Sequence, residues 1–160
     1  MPMQAKLVVA ATDFSANADQ AVQKALTLAR RRQAELVIVH VIPPVLSNSP
    51  LMHKLVGSED ETAINGLAGR LRKASQEELE SRYLAQDAYP RAEGLCLEGK
   101  AANTILGLVK EREAGLLVIG ATGAAGLAGS LFGASAGKLL RKAPCSVLVV
   151  RAQASGSAKS

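Results

Sequence analysis

The glycines in the last third of the chain are the residues whose type and spacing most directly suggest chemistry. Seven of the 14 glycines lie between residues 115 and 137. Glycine lets backbone N–H groups approach a ligand closely and lets φ become positive. A loop of this kind that leads into a helix also offers unpaired N–H donors and a partial positive charge to an anion. We therefore interpret this segment as a phosphate-binding loop, with a flexible connection between small residues as the alternative.

Two familiar phosphate motifs do not fit the sequence. Residues 133–138 look like a P-loop, but they have one spacer residue too few, and Leu139 stands where Ser or Thr would bind Mg²⁺. The turn at residues 11–16, after the first predicted strand, contains no glycine, so it is not a dinucleotide-binding fingerprint. Any phosphate site must therefore be built in another way.

The distribution of charge points to the same part of the chain. Residues 1–113 carry 14 basic and 14 acidic side chains. Beyond residue 113 there is no Asp or Glu, and the basic residues are Lys138, Arg141, Lys142, Arg151 and Lys159. This excess favours an anionic ligand, although a solvated basic helix end would give the same pattern. With 2% aromatic residues and no Trp, the chain is poorly suited to binding single-stranded nucleic acid by stacking.

Alternating apolar runs and amphipathic segments predict how these residues are positioned. The predicted strands are residues 6–11, 35–42, 91–97, 116–119 and 147–150, and the predicted helices are 16–32, 60–86, 101–113 and 134–142. In the second helix the inward residues should be Ile64, Leu67, Leu71 and Ala74. This alternation is typical of an α/β fold, a single-domain, doubly wound, five-stranded parallel sheet with four helices. We expect the domain to span residues 1–151 and the low-complexity residues 152–160 to form a disordered tail.

The predicted topology brings two segments together. Right-handed crossovers put helices on opposite faces when the chain reverses across the sheet, so if strands two and three build outward on one side of strand one, strands four and five must start on the other. Ligands of such sheets bind at the carboxyl ends of the strands beside the point of reversal, here at Asp13 and Gly120. The Asp13 carboxylate can accept from a hydroxyl of such a ligand or hold Mg²⁺ through water. Alternatively, Asp13 or Ser15 simply caps the first helix. His40, within an apolar strand, is more simply a hydrogen-bonded core residue than a base.

The spacing of the glycines carries a specific resemblance. Gly120-Ala121-Thr122-Gly123, nine further residues and Gly133 match the pattern Gly-x2-Gly-x9-Gly. With the opening residues 9–15 and the closing residues 138–150, the chain resembles the universal stress protein family over residues 5–151. The resemblance implies an adenine nucleotide alpha hydrolase-like, Rossmann-like fold, with the glycine loop around the phosphates and ribose of ATP. It also implies that the acidic turn lies beside the nucleoside and metal, and that the backbone of Val41 meets adenine.

One residue departs from the pattern of the nucleotide-binding branch. Ala134 stands where those relatives have Ser or Thr, although Ser135 follows it. The candidate site for ATP, with or without Mg²⁺, comprises Ala11, Thr12, Asp13, Val41, Gly120, Ala121, Thr122, Gly123, Gly133, Ala134 and Ser135.

These features favour a cytoplasmic, ATP-binding regulator or sensor with slow or no ATP turnover and a protein partner that the sequence does not identify. The resemblance implies a homodimer formed through Val147, Leu148, Val149 and Val150. Neither nucleic acid nor a membrane is an expected partner. A dimeric scaffold that binds no nucleotide stays open, because Ala134 lacks the hydroxyl and Ala124 replaces a basic residue common in binding relatives. An ATP pyrophosphatase is the third alternative, but its Ser/Gly-rich first turn is not found at residues 13–15.

Overall fold

The computed structural model describes residues 6–44, 50, 54, 61–85, 88–121 and 134–151. Strands and helices alternate as predicted: β1 (Leu7–Thr12), α1 (Ala16–Arg32), β2 (Glu35–Ile42), α2 (Glu61–Tyr83), β3 (Ala92–Glu98), α3 (Ala101–Glu111), β4 (Leu116–Gly120), α4 (Ala134–Lys142) and β5 (Ser146–Val150). The expected tail at 152–160 lies outside the described residues. Within the described residues, no helix combines the length and apolarity needed to cross a bilayer.

The five strands form one parallel sheet in the order β3-β2-β1-β4-β5. β1 lies at the centre, with Val8 beside Leu36 of β2 and beside Leu116 of β4. The strand order therefore reverses between β1 and β4. This is the predicted switch point, and it is the place where open α/β sheets bind their ligands.

Helices cover both faces of the sheet. On one face, here called the α1 face, α1 and α2 pack over Val8, Ala10 and Ile38. On the other, the α3 face, α3 and α4 pack over Val9 and Val37. Because both faces are buried, the central strands need continuous apolar runs rather than alternation, as the sequence of β2 shows.

The inward face of α2 differs from the prediction. Leu71 and Ala74 are exposed, and the buried residues are Ser75, Leu79 and Tyr83, spaced four apart. Leu71 belongs to the same stripe of the helix, but it lines a groove with the last residues of β2 and β3, Ile42 and Glu98. At that level the sheet ends, so only the second half of α2 has strands to pack against. Side-chain positions at residues 61–64, which include Ile64, lie outside the described part of the helix.

Candidate functional site

The carboxyl ends of β1 and β4 lie side by side at the switch point. Ala10 pairs with Val118, so the last residues of these strands, Thr12 and Gly120, are two positions further along the same register. On the α3 face the apolar side chains Ala11 and Val41 are only half-buried at this end of the sheet. α4 begins across the same end, and its first residues, Ala134 and Ser135, are exposed. These segments all border the carboxyl end of the sheet at the switch point, which is here called the crevice.

Side-chain hydrogen bonds shape the turn between β1 and α1. The Ser15 N–H donates to Asp13 Oδ1 at 3.0 Å, and Ser15 Oγ accepts from the Ala18 N–H at 3.3 Å. Ser15 is therefore the residue that caps α1, and Asp13 closes the turn before it. Between them Phe14 has φ 64°, in the left-handed region that a bulky side chain rarely adopts. The carboxylate of Asp13 is thus held at the mouth of the crevice by the turn itself.

Gly120 is needed where β4 passes under the start of α1. A Cβ at this position would lie 3.0 Å from the carbonyl carbon of Asn17 and 3.1 Å from the Ala18 nitrogen. Ala121, which follows, is buried, and its N–H donates to the Val150 carbonyl oxygen at 2.9 Å. The beginning of the glycine loop is therefore anchored to α1 on one side and to β5 on the other. Thr122, Gly123 and Gly133 lie outside the described residues.

A network of polar side chains on the α1 face of the sheet binds the turn between β1 and α1. The buried Thr12 hydroxyl lies 2.8 Å from the Tyr83 hydroxyl at the end of α2. Tyr83 in turn donates to Asp19 of α1. Arg82 donates to both carboxylate oxygens of Asp19, each at 3.2 Å, and to the Phe14 carbonyl oxygen at 2.9 Å. The sequence prediction included Thr12 but none of its partners.

Burial and the neighbouring carboxylate change the acidity of this network. Burial, followed by the hydrogen bond to Asp19, raises the pKa of Tyr83 to about 12. The hydrogen bond that Arg82 makes to Glu78, with a further one to Asp19, raises the pKa of the guanidinium. Tyr83 is thus a neutral phenol at neutral pH and serves as a hydrogen-bond donor.

His40 completes the surroundings of the turn. Its Nδ1 lies 2.9 Å from the Thr12 carbonyl oxygen, so Nδ1 carries the proton and donates it. Its ring is 4.5 Å from that of Phe14, centroid to centroid. The prediction that His40 is hydrogen-bonded is confirmed, but the prediction that it belongs to the core is wrong, because its side chain is only half-buried.

The basic side chains of α4 are not gathered at the crevice. Lys138 contacts the Asn103 side chain of α3. Arg141 and Lys142 are exposed in the last turn of α4, at the end away from the crevice. Cations at that position complement the helix dipole. For these two residues the structure favours the solvated helix end over the anion-binding interpretation.

Comparisons with known proteins agree with the fold and with the resemblance. The family model described as "Universal stress protein family" matches residues 5–151. A universal stress protein of Thermus aquaticus is 32% identical over 149 residues, which cover 91% of this chain and 98% of that protein. The structure of UspA from Lactobacillus plantarum has a TM-score of 0.70 at 23% identity, covering 91% of this chain and 97% of that chain. A universal stress protein solved in complex with cAMP has a TM-score of 0.61 at 26% identity, covering 92% and 97%. The chain belongs to the universal stress protein family.

Proposed function

We propose that this protein binds ATP in the crevice at the switch point and acts as a homodimeric regulator in the stress response, with slow or no ATP turnover. The observation that carries the proposal is that the Asp13 turn, the start of the glycine loop at Gly120 and the start of α4 border the same crevice. We propose that this crevice offers an apolar strip for adenine, a carboxylate for the ribose, and backbone N–H groups for the phosphates.

The base has an apolar surface to lie on. Ala11 and Val41 are half-buried on the α3 face at the carboxyl end of the sheet, and Leu95 and Leu97 of β3 extend the strip. A planar purine suits a flat apolar strip that ends in open backbone groups. The relative solved with cAMP, at 26% identity, supports an adenine nucleotide. ATP is our choice among such nucleotides, because the glycine-rich sequence of residues 120–133 predicts many backbone donors for a phosphate chain.

The charged part of the ligand would lie between Asp13 and α4. The backbone N–H groups of the glycine loop and of the first turn of α4 are the donors for phosphate oxygens. Ser135, exposed in that turn, can add a hydroxyl. The Asp13 carboxylate suits either a ribose hydroxyl or a water on Mg²⁺. The donors present therefore fit a Mg-nucleotide, and the metal would screen the phosphate charge.

The titratable groups around the turn are engaged in structural hydrogen bonds, which argues for slow turnover. His40 donates to Thr12 from the α1 face, and Asp19 accepts from Tyr83 and Arg82. The chain beyond Glu113 contains no Asp or Glu that could activate a water near the phosphates. A general base must reach the proton that it removes; His40 and Asp19 are already committed elsewhere, and we assign Asp13 to the ribose or to a water on Mg²⁺. We therefore assign binding rather than catalysis.

The dimer is proposed to form along β5. This strand is the edge of the sheet, and no other described strand pairs with its outer side. Its side chains Val147 to Val150 are only half-buried. An unpaired edge strand tends to pair with another chain. A second copy related by a two-fold axis would pair its β5 with this one, so the β5 edge of each copy would be covered.

Thermal unfolding with nucleotides tests the binding proposal. A ligand at about 100 times its Kd adds about 2.7 kcal/mol to stability, so Mg-ATP should raise the Tm and Mg-GTP should raise it less.

Gly123→Val should abolish ATP binding in isothermal titration while the protein still folds, because a β-branched side chain fills the phosphate space. Gly107→Val is the matched control, since nothing lies within 4 Å of a Cβ at that position. Wild-type affinity in folded Gly123→Val would place the phosphates elsewhere.

A nucleotide-free scaffold is the second candidate, and Ala134 is the observation that favours it. The residue opens α4 without the hydroxyl expected of nucleotide-binding relatives. If neither Mg-ATP nor cAMP changed the Tm while the protein remained a dimer, the scaffold function would replace the one proposed.

A further inference from the structure

The structure contains a clamp that links the end of α2 to the turn bearing Asp13. It consists of Tyr83 and Arg82 on α2, Asp19 on α1 and the turn residues Thr12 and Phe14. We propose that Tyr83 and Arg82 are positioning residues for the nucleotide: from the opposite face of the sheet they hold the turn in the conformation that presents Asp13 to the ligand. The inference rests on the proposed function, because it names residues that set the affinity of the same site.

The hydrogen bonds of the clamp run in one direction. The Asp19 carboxylate can only accept, so the Tyr83 hydroxyl donates to it. The Tyr83 hydroxyl oxygen therefore accepts a hydrogen bond from the Thr12 hydroxyl, with 2.8 Å between the two oxygens. Thr12 Oγ1 in turn accepts from the Phe14 N–H, with an N···O distance of 3.0 Å. Loss of the Tyr83 hydroxyl leaves the buried Thr12 hydroxyl without its acceptor. The hydroxyl would then have to rotate towards another acceptor, which disturbs the bond that fixes the Phe14 N–H.

The backbone conformation of Phe14 must be stabilised by surrounding contacts. Its φ of 64° is in a region that non-glycine residues occupy only where the surroundings enforce it. The N–H is bound by Thr12 and the carbonyl oxygen by Arg82. The ring lies 4.5 Å from His40 and 5.3 Å below the Arg82 guanidinium. Asp13 and Ser15 flank Phe14, so a relaxation of its backbone turns the Asp13 carboxylate away from the crevice.

The side chains of the clamp lie on the α1 face, away from the face on which the base is proposed to lie, so of the candidate residue Thr12 only the backbone can border the crevice. Thr12 points to the α1 face and meets α2, whereas the half-buried Ala11 and Val41 face α3 and α4. Tyr83 and Arg82 therefore act on the ligand only through the turn. Because coupling between two sites is reciprocal, a bound nucleotide should in turn hold the end of α2 more firmly against the sheet.

The test compares two substitutions of the same kind. Tyr83 and Tyr89 are the only tyrosines of the chain, and Tyr89 donates to the Ala34 carbonyl oxygen at 2.8 Å, beyond the opposite end of β2 from the turn. Tyr83→Phe and Tyr89→Phe each remove one hydroxyl. In titrations with Mg-ATP, Tyr83→Phe should weaken binding by about 2- to 10-fold, the equivalent of one hydrogen bond, and Tyr89→Phe should not. Amide hydrogen exchange should be faster at Phe14 and Ser15 in Tyr83→Phe alone.

A second pair keeps the inference testable if Tyr83→Phe does not fold. Arg82→Gln removes an exposed partner of the Phe14 carbonyl, and Arg112→Gln removes an exposed partner of Glu93 near the opposite end of the sheet. Weaker binding in Arg82→Gln alone supports the clamp. If wild-type protein binds ATP and all four variants bind it equally well, the clamp is overturned and the proposed function stands. If wild-type protein binds no adenine nucleotide, both fall together.

Discussion

Gly120→Ala should destabilise the protein, and the size of the effect follows from the packing of α1 on β4. The new Cβ would lie 3.0 Å from the carbonyl carbon of Asn17 and 3.1 Å from the Asn17 oxygen and the Ala18 nitrogen. Carbon atoms normally approach to about 3.5–4.0 Å. All three neighbours are backbone atoms, so no side chain can rotate away. Among the described glycines only Gly99 has a φ between +20° and +160°, so the penalty at Gly120 is steric rather than conformational.

The first turn of α1 would have to move away from the sheet by a few tenths of an ångström. Overpacking of this kind costs about 1–3 kcal/mol, and the lower entropy of alanine in the unfolded chain offsets about 0.4–1 kcal/mol of it. We therefore expect a net loss of about 1–2 kcal/mol. For a domain of this size that corresponds to a fall in Tm of about 2–8 °C. Because the moved turn is capped by Ser15 and precedes Asp19, nucleotide affinity should also fall.

Urea unfolding followed by circular dichroism measures the change, at equal protein concentrations because the proposed dimer would contribute to stability. Gly107→Ala is the control, since the same substitution there meets no atom within 4 Å on an exposed part of α3. It should stabilise the protein by about 0.5–1 kcal/mol. The two substitutions are thus expected to have opposite signs. A Gly120→Ala variant as stable as wild type would refute the packing argument.

Three further predictions concern β5, the start of α4 and Tyr83. Deletion of residues 144–160 should give a less stable monomer by light scattering, whereas deletion of 152–160 should leave a dimer. Loss of the dimer with the tail alone would place the interface in the tail. Ala134→Ser should tighten binding of Mg-ATP by about one to two decades in Kd, since a hydrogen bond to a charged group contributes about 1.5–3 kcal/mol. Equal affinities in calorimetry would mean that Ser135 already supplies the hydroxyl or that the phosphates lie elsewhere. The raised pKa of Tyr83 stabilises the fold fully below pH 10, its ordinary value, and this contribution is lost as the pH rises towards about 12. Between these values wild type should lose up to about 1.4 kcal/mol per pH unit more than Tyr83→Phe in urea unfolding. Equal losses would contradict the assignment.

The strand order could be predicted from the sequence because few topologies satisfy the rules for parallel sheets. Once residues 6–11 and 116–119 are interpreted as strands joined by helical crossovers, and strands two and three are placed on one side of strand one, right-handedness and the burial of both faces put the reversal between the first and fourth strands. The structure has this reversal between β1 and β4. The neighbourhood of Asp13 and Gly120 was therefore predictable before any side chain was placed.

The clamp could not be predicted, because it depends on the phase of α2 and on one backbone angle. Hydrophobic spacing predicts that Leu71 faces inward, but Leu71 lies beyond the end of the sheet and is exposed. The residues of α2 that pack against the strands and are buried include Ser75 and Tyr83. No pattern in residues 12–15 indicates that Phe14 adopts a left-handed conformation. The available signal was composition: in a chain with so few aromatic residues, Phe14 in a polar turn and Tyr83 at a helix end are unusual enough to suggest contact.

The described contacts give the glycine loop two fixed points at its start. Gly120 allows α1 to pack against β4, so the loop begins beside the cap of α1 and hence beside the turn that bears Asp13. Ala121 is bound through its N–H to Val150, the last residue of β5. The proposed ligand site and the proposed dimer edge therefore meet at adjacent residues. If nucleotide binds as proposed, a shift of Ala121 at the start of the loop would reach Val150 of the edge strand through that hydrogen bond. Under the proposed function, this hydrogen bond is the physical route by which nucleotide binding would change the edge strand that a partner would contact.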